Sequence, residues 1–195
     1  LTGIADQDYF LDKYFDYVIF KIKLKKRNAA NTGLNNQGGK RMTPKEMRKK
    51  AVEMFAVQKF HCSQVIAAVG QEKLGRGNDE VIRAMGAFGG GLCGNGEVCG
   101  ALAGALAVLG LRYSRSKSDE KEDVKMWKIA DELFRRFRDE IVNRDGSICC
   151  RDIACVNWKD RQQAKEFYQG GDAIKRCYHI VGETALMLGE ILERE

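Results

Sequence analysis

Proline occurs once in these 195 residues, at Pro44, and runs of β-branched residues are scarce. With so few helix breakers and no credible strand pair, an all-α fold is expected. No run of roughly 18 apolar residues exists, so no transmembrane helix is expected. The early apolar stretch Tyr17–Phe20 is very short and its basic cluster follows it, the reverse of a secretory signal. No two cysteines have C-x-x-C spacing, which argues against zinc ribbons and thioredoxin-like sites, and without C-x-x-C-H no covalent haem is expected. No Ser/His/Asp set and no carboxylate pair suggests hydrolysis, so no catalytic residue is assigned. The glycine-rich segment Gly89–Gly96 has neither a G-K-[ST] ending nor a preceding strand, which discounts a phosphate loop.

Charge is modest and unevenly placed. Of the net +6, residues 1–41 supply +4, from eight Lys/Arg against four Asp, leaving +2 for the remainder. That remainder has no basic excess for phosphates to neutralise, and no nucleic-acid partner is expected.

What the chain does have is cysteine: Cys62, Cys93, Cys99, Cys149, Cys150, Cys155 and Cys177. The number is odd, and a chain of this length does not need a disulfide scaffold. A cytoplasmic location is expected, and in such a reducing compartment so many thiols are more often metal-binding, catalytic or buried than structurally bridged.

Two regions are expected. Residues 1–41 read as an N-terminal extension and linker, aromatic and basic over Tyr9–Leu24 and Asn/Gly-rich over Asn28–Lys40, with Met42 a candidate start. Residues 42–195 read as one helical domain, a bundle of about five or six helices. Thr43-Pro44-Lys45-Glu46 is a capping box that opens the first helix. Ser63 is the expected cap of the second, stopped by Gly75 and Gly77, and Asn78 of a short third over Asp79–Phe88. The Gly-rich loop precedes an apolar Gly/Ala helix, Cys99–Leu111, which has no charged face and must be buried. A long amphipathic helix is expected over Asp119 to about Val142, with Val124, Trp127, Ile129, Ala130, Leu133, Phe134 and Phe137 on its core side. A turn follows at Asn143–Ser147. Then come a short segment, Cys149–Val156, a helix over Trp158–Tyr168, and a last helix capped by Asp172.

The cysteines fall near element boundaries, where four thiols from loops and first turns can converge as a cluster or redox site requires. Cys99, at the start of the Gly/Ala helix, meets free N–H groups that favour a thiolate. The competing reading is burial as small apolar groups, which Cys177 on an apolar stripe fits well. Glycines are entropically costly unless the chain turns tightly or approaches something closely, so the run before Cys99 favours a site. His61 and His179, the only histidines, both neighbour such cysteines; ligation by either is the weaker expectation.

Three stretches share a pattern: Phe60-His61-Cys62-Ser63-Gln64; Phe88-Gly89-Gly90-Gly91 through Glu97-Val98-Cys99-Gly100-Ala101 and on to Gly104; and Gly146-Ser147-Ile148-Cys149-Cys150-Arg151-Asp152. Followed by Cys177, they resemble the redox-active protein family named for its C, GCAxxG, C, C order, over roughly residues 43–193. The resemblance implies that the family cysteines are Cys62, Cys99, Cys150 and Cys177. Cys150 is taken over Cys149 because Arg151 and Asp152 follow it. The same domain occurs in a dihaem cytochrome type associated with an additional iron–sulfur centre. Four thiolates suit a [2Fe–2S] or [4Fe–4S] cluster and equally tetrahedral zinc. An iron–sulfur cluster used in electron transfer is therefore the first expectation, in an electron carrier or oxidoreductase component. A dithiol/disulfide relay between Cys62 and Cys99 comes second if their sulfurs meet, and structural zinc third. A redox partner protein is implied. The small face of the Gly/Ala helix also permits a homodimer.

Overall fold

The computed structural model describes residues 42–142 and 147–194. Expectations for residues 1–41 and for the turn at 143–146 lie outside them. Among the described residues the fold is all-α, with eight α-helices and no strand. The helices are α1 (Pro44–Gln58), α2 (Cys62–Leu74), α3 (Asp79–Ala84), α4 (Gly100–Tyr113), α5 (Met126–Arg136), α6 (Cys150–Ala154), α7 (Arg161–Gln169) and α8 (Asp172–Arg194). The count exceeds the expected five or six: α3 and α7 fall where short helices were expected, and the short segment at Cys149–Val156 winds into a further one, α6.

Local signals set most helix starts. Thr43 Oγ1 accepts from the Glu46 N–H at 3.3 Å while Glu46 Oε2 accepts from the Thr43 N–H at 2.7 Å. Asn78 Oδ1 accepts from the Glu80 N–H at 2.9 Å, and Asp160 Oδ1 from the Gln162 N–H at 2.9 Å. At α2 the expectation needs correction. His61 is the N-cap, its N–H bonded to Gln64 Oε1 at 3.2 Å, and Cys62 is the first helical residue. Ser63 is already inside the helix and buried, and its hydroxyl donates to the Met85 carbonyl at 2.7 Å.

The expected long helix at 119–142 is shorter and differently faced. It begins at Met126 and runs on from Arg136 as a π-helical stretch, Phe137–Val142. Ile129, Leu133, Phe137 and Ile141 recur every four residues and are all buried. Val124 precedes the helix and is 93% exposed; Trp127 is 72% exposed, its indole N–H bonded to Glu122 Oε1 at 2.9 Å. Both lie outside the stripe that fits the core.

α1 packs along α8, and α4 lies against α2. Glycines allow both close approaches. A Cβ on Gly104 of α4 would stand 2.6 Å from the Ser63 carbonyl oxygen of α2, and one on Gly189 of α8 would stand 2.9 Å from Pro44 Cα of α1. The main core runs between these helices, with Met47, Ile66, Val69, Leu102, Leu109 and Leu188 fully buried. A second, smaller cluster gathers Cys150, Ala154, Val156 and Phe167, with Trp158 and Cys177 packed on it.

Candidate functional site

Two elements far apart in sequence are stitched together by backbone. The Gly-rich loop ends in a short antiparallel bridge between Val98 and Cys149. The Cys99 N–H donates to the Ile148 carbonyl at 2.8 Å, and the Cys150 N–H returns to the Glu97 carbonyl at 2.6 Å. Arg151 closes the set, its N–H on the Gly96 carbonyl at 3.0 Å and its guanidinium on Glu97 Oε1 at 2.8 Å. These bonds set the starts of α4 and α6 beside each other, and with them Cys99 and Cys150.

The loop needs its glycines to come this close. Gly91 sits at φ +69°, a conformation most residues avoid. A Cβ there would also stand 2.6 Å from the Cys150 Cβ. Gly100 makes the matching approach on the other side, where a Cβ would lie 2.7 Å from the Cys62 sulfur. The first cysteine of α2 thus lies directly over the first turn of α4.

The result is one cavity of about 40 Å³ walled by Cys62, Cys99, Cys150 and Cys177 together. It lies where the two hydrophobic clusters meet, and Trp158, Phe167 and Tyr168 form part of its wall. A cavity of this size takes a few waters or a small inorganic group; organic ligands usually occupy several hundred Å³. All seven thiols are free. Cys93 and Cys155 are exposed, their sulfurs bonded to the Ala87 and Asp152 carbonyls at 3.2 and 3.3 Å, and neither lines the cavity. Half-buried Cys149 is the N-cap of α6 and is likewise outside the wall.

Three of the cavity thiols, Cys99, Cys150 and Cys177, are shifted towards the protonated form. Cys99 is pushed well above the ordinary thiol range, first by its hydrogen bond to Cys62, then by burial and by repulsion from Cys62. The backbone N–H groups of Ala101 and Leu102 oppose this. The helix start therefore acts on Cys99 as expected, but it is outweighed by the second thiol and the apolar surroundings. Burial pushes Cys150 up to about 12, with repulsion from Cys99 adding to it and a hydrogen bond from the Trp158 indole N–H, at 3.3 Å, opposing it. Cys177 is raised chiefly by burial, and then by Cys99 and Cys150. Arg151, next to Cys150 in the chain, has its guanidinium engaged with Glu97.

His61 lines the cavity from the cap of α2, and a Cβ on Gly89 would meet its ring at 2.6 Å. His179 is exposed and stands 4.0 Å from Glu183, away from the cavity wall. Sequence reasoning missed Trp158 as a contact of Cys150. The available signal was an indole eight residues downstream, a side chain whose single polar atom is a donor.

This arrangement is the physical content of a known pattern. Residues 60–191, about two-thirds of the chain, match the model of the C_GCAxxG_C_C family, described as "Putative redox-active protein". The chain belongs to that family. No curated protein and no solved structure matches it. Within the stretch Cys99–Gly104 that carries the pattern, Gly100 and Gly104 are the residues that let α4 meet α2, with the Cys62 sulfur over the helix start.

As placed, no three His, Cys, Asp or Glu side chains among the described residues are grouped to hold a metal ion. The donor chemistry nevertheless fits a soft metal centre, because four thiols and no carboxylate line the cavity. Cys62 and Cys99 are close enough for the Cys62 thiol to raise the proton affinity of Cys99. Among the described residues no helix is long and apolar enough to cross a membrane.

Proposed function

We propose that this protein is a redox carrier whose centre is an iron–sulfur cluster ligated by Cys62, Cys99, Cys150 and Cys177. One observation carries the reading: of seven cysteines, these four line the same small, apolar cavity. Ligation replaces four thiol protons with metal, which offsets the penalty that now keeps Cys99, Cys150 and Cys177 neutral. When bound, such a cluster supplies electron transfer at a potential set by cluster charge, hydrogen bonds to sulfur and solvent exposure. The chain's own part is to present the sulfurs, exclude bulk water with Trp158 and Phe167, and hold α4 against α2.

The test is anaerobic reconstitution with ferrous iron and sulfide, followed by iron and sulfide analysis and EPR of the reduced protein. Stoichiometric iron and sulfide, lost in Cys99→Ser, is the expected result. Stoichiometric zinc without iron would overturn it.

The closeness of Cys62 to Cys99 favours a second reading, a dithiol couple that closes by a disulfide bond. Forming that bond releases two electrons and two protons, which an oxidised partner disulfide accepts by exchange. A reversible two-electron titration in metal-free protein that takes up no iron would select this reading.

A further inference from the structure

Trp158 reaches the site from outside the four-cysteine pattern. It lies in the connection between α6 and α7, and its indole Nε1–H donates to the Cys150 sulfur at 3.3 Å. The ring is held on several sides. Phe167 meets it edge-on with centroids 4.9 Å apart, and Tyr168 lies at 6.3 Å. The Gly-rich loop covers it as well: a Cβ on Gly90 would stand 3.5 Å from Trp158 Cγ, and one on Gly94 3.4 Å from its Cβ. The backbone beside it is pinned, with the Lys159 N–H on Asn157 Oδ1 at 3.1 Å and the Asp160 N–H on the Asn157 carbonyl at 3.0 Å.

Packing alone does not require that contact. Phe167 fills the neighbouring space with no polar atom, whereas an indole brings one donor and no acceptor. A buried sulfur is a weak acceptor when protonated and a strong one when it carries charge, so the donor favours the electron-rich state. Hydrogen bonds to ligand sulfurs are among the factors that set cluster potentials.

We propose that Trp158 is a positioning and tuning residue, holding the Cys150 sulfur through its indole N–H and raising the reduction potential of the centre to which that sulfur belongs. The proposal rests on the cluster reading, and its test separates the two. The reconstituted full chain is compared with Trp158→Phe, and with a variant carrying a benzothiophene isostere at position 158, which keeps the ring shape and lacks the N–H. Iron content should be equal in all three. The reduction potential should fall in both variants by about a ten-fold change in the reduction equilibrium, about 59 mV for one electron. In metal-free protein, the Trp158 Nε1–H resonance should move in Cys150→Ala and stay in place in Cys93→Ser. Equal potentials in all three loaded proteins, or an indole resonance indifferent to Cys150→Ala, would overturn the tuning role. Failure of the unaltered chain to take up iron would overturn the cluster reading itself, and the potential claim with it.

Discussion

The Cys62 sulfur lies over Gly100, where a Cβ would stand only 2.7 Å away, close enough for its thiol to raise the proton affinity of Cys99. That contact depends on α2 and α4 touching backbone to backbone, so the chemistry of the pair and the packing of the helices are one problem.

Gly104→Ala tests the connection. Its Cβ would meet the Ser63 carbonyl oxygen at 2.6 Å, a backbone atom that cannot swing aside. The helices must separate, and the expected loss is about 1–3 kcal/mol of stability by overpacking, read by urea unfolding under reducing conditions. The same variant should form the Cys62–Cys99 disulfide more slowly on mild oxidation. A stable variant with unchanged oxidation would mean that the close approach is not what joins the thiols.

Serine substitutions should divide the cysteines into two groups. Cys93→Ser, Cys149→Ser and Cys155→Ser remove thiols outside the cavity wall, and iron uptake should be unchanged in each. Cys62→Ser, Cys99→Ser, Cys150→Ser and Cys177→Ser should each lose most of the bound iron. Full uptake in Cys150→Ser together with loss in Cys149→Ser would move the third ligand by one residue.

Much of this was legible in the residues, for identifiable reasons. The capping box at Thr43 and the Asn78 cap are local, depending on side chains within three positions, and they form as expected. The Gly/Ala helix had no charged face and is buried. What was hidden is non-local. Nothing in 119–142 reveals that the bundle centres on the Ile129–Leu133–Phe137–Ile141 stripe, with Ala130 and Phe134 at its margin, and leaves Trp127 to solvent. The neighbourhood of Cys99 and Cys150 arises from backbone bonds between Gly96–Cys99 and Ile148–Arg151, which carry no residue-type signature. Trp158 was invisible as a site residue because its partner lies across a helix and a turn.

The corrected face of α5 has its own consequence. Phe137→Ala empties a fully buried position and should cost about 3–5 kcal/mol. Trp127→Ala, at a residue 72% exposed, should change stability by no more than about 0.5 kcal/mol despite removing a larger side chain. Urea midpoints at constant m-value make the comparison. A Trp127 cost matching that of Phe137 would restore the wider core face.

Alkaline pH should weaken the reduced, metal-free fold through the same buried thiols. Cys150 ionises at about 12 in the folded chain and near the ordinary value of 9.0 when unfolded. Below pH 9 both states are protonated and the full contribution is present. Between pH 9 and 12 the unfolded chain loses its proton while the folded one keeps it, so unfolding becomes easier as pH rises. Cys99 and Cys177 are raised as well and act in the same direction. The Cys150 part of this loss should be on the order of a few kcal/mol, measured as a falling urea midpoint from pH 8.5 to 11 with reductant present. Replacing Cys150 by alanine should flatten that slope. An unchanged slope would show that the Cys150 thiol ionises in the folded chain as readily as in the unfolded one, and that its surroundings are wetter than the cavity at the junction of the two hydrophobic clusters implies.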